Sequence, residues 1–292
     1  MTRPTAPPPP TSSAPPPPPS KGAQSTPKPA VNVPVMSVKP AEFTAPRIVI
    51  TGVEGVGKTS IVAYAPDAAI IMAGNETGYS TLAGVGRVPQ IPSAAVTTWE
   101  ELNALLDSLA ESPPNVLGLD AMGGLERMCH EFVCKRDYKN EWGETGFTSF
   151  QRGYDASITD WLLMLTKLDR LHKLGTTIII LAHCKVKPFK NPEGPDFDRY
   201  VADVHEKTWA ATHRWADAAL FMKFETIVDS DKNKRVRGIG TDTRILYTTR
   251  TDARDAKNRY GMPPEIEMPN EPSQMFNTIW SYIQPNKESK TC

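Results

Sequence analysis

The residues with the most definite chemistry form one short run, Gly52-Val53-Glu54-Gly55-Val56-Gly57-Lys58-Thr59-Ser60. Its glycines let backbone N–H groups turn inward around a phosphate, and a helix starting at Lys58 adds partial positive charge. Lys58 can then reach the β and γ oxygens of ATP, and Thr59 can hold Mg²⁺. Two carboxylates suit the remaining tasks. Asp120 ends the apolar run Val116-Leu117-Gly118-Leu119, where an acid can organise the metal together with Thr59. Glu76 follows Ile70-Ile71-Met72-Ala73, at an edge where a carboxylate can face the γ-phosphate and orient water. On its own pattern, Glu76 fits a solvated loop acid better than a catalytic one.

Such groups need strands that end side by side. After Pro46, Arg47-Ile48-Val49-Ile50-Thr51 predicts a buried strand feeding a helix over Lys58 to Tyr64, stopped by Pro66. Ala69 to Met72 and Val116 to Asp120 predict the second and third strands. Leu102, Leu105, Leu106 and Leu109 stand at helical spacing behind a Thr98/Glu101 capping box, predicting a helix over Thr97 to Ala110. A further helix runs through Cys134, and Trp161, Leu162, Leu165, Leu168, Leu171 and Leu174 mark a long one that Gly175 stops. The fourth strand spans Thr176 to Ala182 and enters a loop rich in Lys, Pro, Gly and Asp from Lys185 to Asp203. A helix near Glu206 to Arg214 precedes strands at Ala218 to Phe224, Arg235 to Ile239 and Ile245 to Thr249. The alternation predicts an α/β fold, with a mostly parallel central sheet flanked by helices and C-terminal antiparallel strands.

The first 46 residues hold 15 of the 28 prolines, so they are expected to form a disordered tail rather than a core. Residues 47–268 then form the nucleotide-binding domain, and 269–292 a C-terminal helix and tail whose Phe276, Ile279, Trp280 and Ile283 are expected to pack. Within the tail, Val31, Val33 and Val35 alternate and could add a strand to a neighbouring subunit. With 33 basic and 33 acidic residues, any nucleic-acid contact must come from local patches rather than a global field. The longest strongly apolar run, Ile178 to Ala182, is too short to span a bilayer, and no secretory h-region is visible. A soluble, cytoplasmic protein is expected, with no membrane partner. Cys129, Cys134, Cys184 and Cys292 are too irregularly spaced for a disulfide framework, and reduced thiols are expected. A zinc reading of Cys129, His130, Cys134 and Cys184 lacks knuckle spacing.

Several motifs together resemble RecA-like P-loop ATPases. Those proteins carry a catalytic glutamate just after the strand that follows the P-loop helix, the place of Glu76. They also end the strand after the Asp strand in a polar γ-phosphate sensor leading to a DNA loop, the place of His183. Ala256-Lys257-Asn258-Arg259-Tyr260-Gly261 resembles the Lys-Asn-Arg-Phe-Gly type motif of RadA and DnaB relatives. This likeness implies that Lys257 and Arg259 reach across a subunit boundary to the neighbour's ATP. His183 to Phe189, Asp196 to Tyr200, Trp215 to Phe221 and Asp255 to Gly261 are similar to phage RecA-like single-strand annealing proteins. The resemblance implies a RecA-like P-loop core binding ATP and Mg²⁺, single-stranded DNA as partner, and a homo-oligomer, filament or ring. It further implies a single-strand-binding protein as a candidate helper and, if the chain is phage-encoded, a host-cytoplasmic location. Lys58, Glu76, Asp120, His183, Lys257 and Arg259 would be the catalytic set. Asn75 and Ala121 depart from the pattern, standing where an acid and a hydroxyl are common.

For DNA, Lys185, Lys187, Lys190 and Arg199 supply charge, while Phe189, Phe197 and Tyr200 supply faces for base stacking. A second candidate is the stretch Lys135 to Tyr154, where Lys139 and Arg152 stand among Tyr138, Trp142, Phe147 and Phe150. Lys232, Lys234, Arg235 and Arg237 form a basic hairpin tip that more often is simply solvated. Two other readings use the same site residues: a ring-forming RadA- or DnaB-like motor, and an ATPase switch that does not act on DNA.

Overall fold

Apolar runs without polar alternation demand burial on both faces of a sheet, and the structure meets that demand. The computed structural model describes residues 42–230 and 236–284. In chain order the elements are β1 (Arg47–Gly52), α1 (Lys58–Ala63), β2 (Ala68–Ala73), α2 (Gly78–Gly84), β3 (Ser93–Val96), α3 (Trp99–Leu109), β4 (Val116–Asp120) and α4 (Met122–Tyr138). There follow α5 (Arg152–Lys173), β5 (Thr177–Phe189), β6 (Phe197–Ala202), α6 (Glu206–Trp215), β7 (Ala218–Ser230), β8 (Val236–Tyr247), β9 (Lys257–Asn258), β10 (Glu265–Met268) and α7 (Pro272–Ile283).

The main sheet runs β10-β8-β7-β1-β5-β4-β2-β3, with β6 on β5 and β9 on β7. Strands β3, β2, β4, β5, β1 and β7 are parallel, and β8 and β10 close the sheet antiparallel. This is the α/β architecture expected of a RecA-like P-loop core. Strand β5 separates β1 from β4, so the carboxyl ends of β1, β5, β4 and β2 share one edge, with Gly52 beside His183, Leu181 beside Asp120 and Asp120 beside Met72.

Period-two alternation sends successive residues of one strand to opposite layers. Ile48 and Ile50 of β1 and Ile179 and Leu181 of β5 pack in a layer with α1, α2 and α7. Val49, Ile178, Ile180, Leu117 and Leu119 pack in the other, against α3, α4, α5 and α6. The capping box of α3 forms in both directions: Glu101 N–H donates to Thr98 Oγ1 at 3.2 Å, and Thr98 N–H to Glu101 Oε2 at 3.2 Å.

The structure corrects two expectations and supplies what sequence reading left open. The fourth strand begins at Thr177 and runs to Phe189, and β6 pairs with it antiparallel, Cys184 opposite Ala202 and Phe189 opposite Phe197. The stretch read as a loop from Lys185 to Asp203 is therefore largely a hairpin. Pro188 hid it from sequence reading, yet proline is tolerated on an edge strand. The two late strands are one, β8, which turns back along β7 with an irregularity between Phe224 and Thr226. The long helix starts at Arg152, after Phe150 and Gln151 at φ of 48° and 62°. Finally, α2, β3, β9 and β10 went unread.

The aromatic stretch after α4 is mostly interior. Phe147 is fully buried, with Tyr138, Trp142 and Tyr154 around it at centroid distances of 5.7, 4.9 and 5.1 Å. Cys129 and Cys134 are buried free thiols, and burial pushes the Cys129 thiol up. No group of three potential metal ligands exists among the described residues. His130 beside them is lowered by burial to about 4. No described helix is long and apolar enough to cross a membrane. Val31, Val33 and Val35 and the basic tip at Lys232, Lys234 and Arg235 lie outside the described residues, as does the side chain of Arg237.

Candidate active site

The glycine run leaves β1 at the edge where the parallel strands end. A Cβ on Gly52 would lie 2.2 Å from the Met222 carbonyl oxygen, so only glycine lets β1 approach β7 there. Gly57, just before α1, has φ of 101°, a left-handed conformation that other residues resist. Among the described residues, the amides from Glu54 to Ser60 donate to no acceptor. Glu54 and Gly55 are exposed, but Val56 to Ser60 are buried or half-buried, and amides so placed normally find partners, so this loop suits an external anion.

Lys58 makes the same point by charge. Its ammonium is buried and donates to the loop's own carbonyls, Gly52 O at 2.9 Å and Val53 O at 2.8 Å, not to a carboxylate. Burial lowers its pKa, the penalty expected of a cation without a neutralising partner. A phosphate would supply that partner.

Asp120 lies at the end of β4 with 4% of its surface exposed. Thr59 Oγ1 donates to its Oδ2 at 2.8 Å, across 61 residues of sequence. Burial raises the Asp120 pKa, the Thr59 bond opposes this, and the nearby Glu76 charge adds to it. A carboxylate so penalised, joined to a hydroxyl, is a donor set suited to a hard cation such as Mg²⁺. The residues present fit the metal and the nucleotide.

Glu76 and His183 complete the row. His183 Nε2 stands 3.6 Å from Glu76 Oε2, while Gly78 N–H donates to Glu76 Oε1 at 3.4 Å. His183 Nδ1 is buried without a partner. All these side chains line one cavity of about 770 Å³ with Gly55, Gly57, Lys58, Thr59 and Asp120. A larger depression of about 920 Å³ runs along α4 from Thr97 to Trp142, but holds none of these groups, so chemistry rather than size picks the site.

Other expected site residues lie elsewhere. Lys257 pairs with Ala219 at the start of β7, which puts it about 10 Å down the sheet from Gly52 and about 10 Å to the side. Its Nζ donates to Arg214 O at 3.4 Å, and Arg259 pairs with Asp217 at 2.8 Å. Neither reaches this chain's own glycine loop. Lys185 pairs with Asp203 at 2.8 Å and Lys190 with Asp196 at 2.7 Å. Arg199 is buried and paired with Asp255, Tyr200 packs 5.0 Å from Phe221, and Phe189 lies 5.1 Å from Phe197. Lys187 stands opposite Arg199 on the hairpin, exposed. Lys139 caps α4 at φ of 52°, and Arg152 donates to Ser149 Oγ at 3.2 Å.

Sequence reasoning missed Tyr64, Arg87, Arg244, Glu271 and Met275, which line the same cavity. The spacing of Met275, Phe276, Ile279 and Ile283 behind Pro272 marks a helix, but no local signal places that helix over the glycine loop.

A loop of unpaired amides, a buried lysine and a Thr–Asp pair at the open ends of parallel strands define a P-loop ATPase domain. Its family is shown by the sequence: residues 44–260 match the AAA domain family, and the chain belongs to it. No curated protein matches the chain. Among solved structures, the flagellar accessory protein FlaH from Methanocaldococcus jannaschii aligns at a TM-score of 0.42 and 10% identity, covering 77% of this chain and 85% of that one. The KaiC-like protein PH0186 from Pyrococcus horikoshii OT3 aligns at 0.41 and 12%, covering 79% and 88%.

Proposed function

We propose that the chain is an ATP-dependent, single-stranded-DNA-binding annealing or recombination protein of RecA type, working as a homo-oligomer with ATP between subunits. One observation carries this reading: β5 runs without interruption from His183, in the cavity, into the hairpin that bears Lys185 and Lys187. A strand common to both places can pass a displacement of His183 directly to a surface that holds DNA.

In this reading Lys58 and the amides of Glu54 to Ser60 hold the phosphates, and Thr59 and Asp120 hold the metal. Glu76 orients water, and His183 answers to the terminal phosphate. Bound Mg²⁺ supplies neutralising charge to the phosphate oxygens. Lys257 and Arg259, remote from their own glycine loop, act on the neighbour's nucleotide. Phe189 offers a face to a base, and Lys187 a charge to a phosphate. Lys139 and Arg152 form a secondary contact, and a single-strand-binding protein is a candidate helper.

The second reading, an ATPase switch without DNA, is favoured by the ion pairs that engage Lys185, Lys190 and Arg199 within the chain. Turnover of ATP and annealing of complementary strands, each measured with and without single-stranded DNA, separate the two. DNA-stimulated turnover with faster annealing is expected; turnover indifferent to DNA, with no annealing, leaves the switch.

A further inference from the structure

Beyond the strand edge, the hairpin of β5 and β6 covers a second hollow. Period-two alternation puts Lys185, Lys187 and Phe189 of β5 and Arg199 and Val201 of β6 on one face, with Val186 and Tyr200 on the other. The first face joins Tyr154 of α5 and His205 and Trp209 of α6 around a cavity of about 650 Å³. Its size and its aromatic lining are those of a site for a small flat group. The cations Lys185, Lys187 and Arg199 are matched there by the acids Glu126, Asp203 and Glu206. These charges cancel, so the cavity suits a neutral group with a polar edge rather than a phosphate.

The rings of the cavity are held in place. Tyr154 stacks on His205 at 4.4 Å with the planes 5° apart, and the Arg199 guanidinium lies 5.8 Å over Phe189. Beside them the chain enters α5 through a strained turn. Phe150 has φ of 48° and Gln151 of 62°, a left-handed pair that residues other than glycine resist. A fixed frame closes this turn: Gly153 N–H donates to Phe147 O at 2.9 Å, and a Cβ on Gly153 would stand 2.3 Å from the buried Phe147 ring. Gln151 Oε1 lies 3.2 Å from His205 Nε2, which ties the turn to the cavity wall. Phe147 is thereby sent inward, and Phe150 is left 91% exposed. A ring held in water by a strained backbone, next to a cavity lined with rings, is arranged for a flat partner arriving from outside.

We propose that this cavity takes one base of a single strand, and that Phe150 stacks against the base next to it. Lys187, exposed on the cavity face of the hairpin, answers the phosphate between the two. The strand then crosses from the hairpin to the turn before α5 by way of His205, so these two surfaces form one path. The inference rests on the reading of the chain as a single-stranded-DNA-binding protein, and it says where two of the bases go.

The test uses the full chain with Mg²⁺ and a non-hydrolysable ATP analogue, and two labelled strands of equal length and charge, one of natural deoxynucleotides and one abasic throughout. Fluorescence anisotropy at several salt concentrations reads the affinities. The unaltered chain should bind the natural strand more tightly, by about tenfold or more. Phe150→Ala, which removes no core contact, should weaken the natural strand about tenfold and leave the abasic strand and the salt slope unchanged, since no phosphate contact is lost. Phe150→Trp should restore the affinity. Val201→Trp, which fills the cavity from β6, should weaken the natural strand alone. Natural-strand affinity unchanged in Phe150→Ala or in a folded Val201→Trp overturns the inference, as do equal affinities of the unaltered chain for the two strands. The DNA reading survives those results. Binding of neither strand by the unaltered chain overturns both.

Discussion

The sheet edge at His183 and the hairpin that β5 enters beyond it treat charge in opposite ways. At the strand edge, Lys58 is buried without an acidic partner, Asp120 is buried beside a hydroxyl, and the loop amides donate to nothing. In the hairpin, Lys185, Lys190 and Arg199 have each found a carboxylate. The contrast teaches that an unmet electrostatic demand marks a site more sharply than the number of charges does. Composition counts lysines equally in both places; only the fold shows which remain uncompensated. Pairing does not disqualify a surface cation, because exposed ion pairs contribute about 0–1 kcal/mol and can exchange partners for phosphate. Arg199, enclosed beside Asp255, lacks that freedom.

The strand edge should break hardest. Lys58→Ala is expected to lose nucleotide binding and turnover together, since it removes the ammonium that answers the phosphate charge. Glu76→Gln is expected to retain ATP binding and lose about 10²–10⁴-fold in turnover, the usual contribution of a positioned base. Equilibrium binding and single-turnover hydrolysis of the two variants provide the check. If Glu76→Gln hydrolyses ATP at the unaltered rate, the acid is only a neighbour of His183.

The hairpin should give a smaller and more graded response. Changing Lys185 and Lys187 together to Ala is expected to weaken single-stranded DNA and to flatten the salt dependence by about 0.7 for each phosphate that is no longer neutralised. Arg199→Ala should instead lower thermal stability, through loss of its pair with Asp255 and its packing 5.8 Å over Phe189. Titration of a labelled oligonucleotide at several salt concentrations measures the first effect, and thermal melting the second. An unchanged salt slope in the double variant removes this hairpin from the DNA path.

The same contrast explains what could be read without a structure. Gly52 to Ser60 and Asp120 stand at the ends of strands legible from short apolar runs, and parallel strands end together, so their meeting was accessible from spacing; Glu76 and His183 were placed there only by the resemblance to RecA-like ATPases. The hairpin was not accessible, because Lys185, Lys187 and Pro188 resemble a solvated loop until Phe197 to Ala202 is paired opposite. Nor was the approach of Met275 to Gly57, since α7 announces its apolar face but not what it covers. The small elements α2 and β3 carry weak local signals, with glycine at both ends of α2 and Pro89 and Pro92 just before β3.

The subtlest expected effect concerns stability. Burial raises the Asp120 pKa above its ordinary value of 3.8, so the folded chain holds that proton more tightly than the unfolded chain does. The associated stability is fully present below the ordinary carboxylate range and is lost as pH rises through the folded value. At neutral pH the nucleotide-free protein therefore carries a penalty for a buried charge that Lys58, His183 and the Thr59 bond offset only in part. Asp120→Asn removes the charge while leaving an oxygen to accept from Thr59. The variant, stripped of metal with chelator, should melt higher than the parent at neutral pH. That advantage should shrink as pH falls toward the ordinary carboxylate range, where the parent's Asp120 is protonated too. A variant that melts lower than its parent at neutral pH would mean that the carboxylate is already compensated within the fold, and the contrast between the strand edge and the hairpin would lose its sharper half.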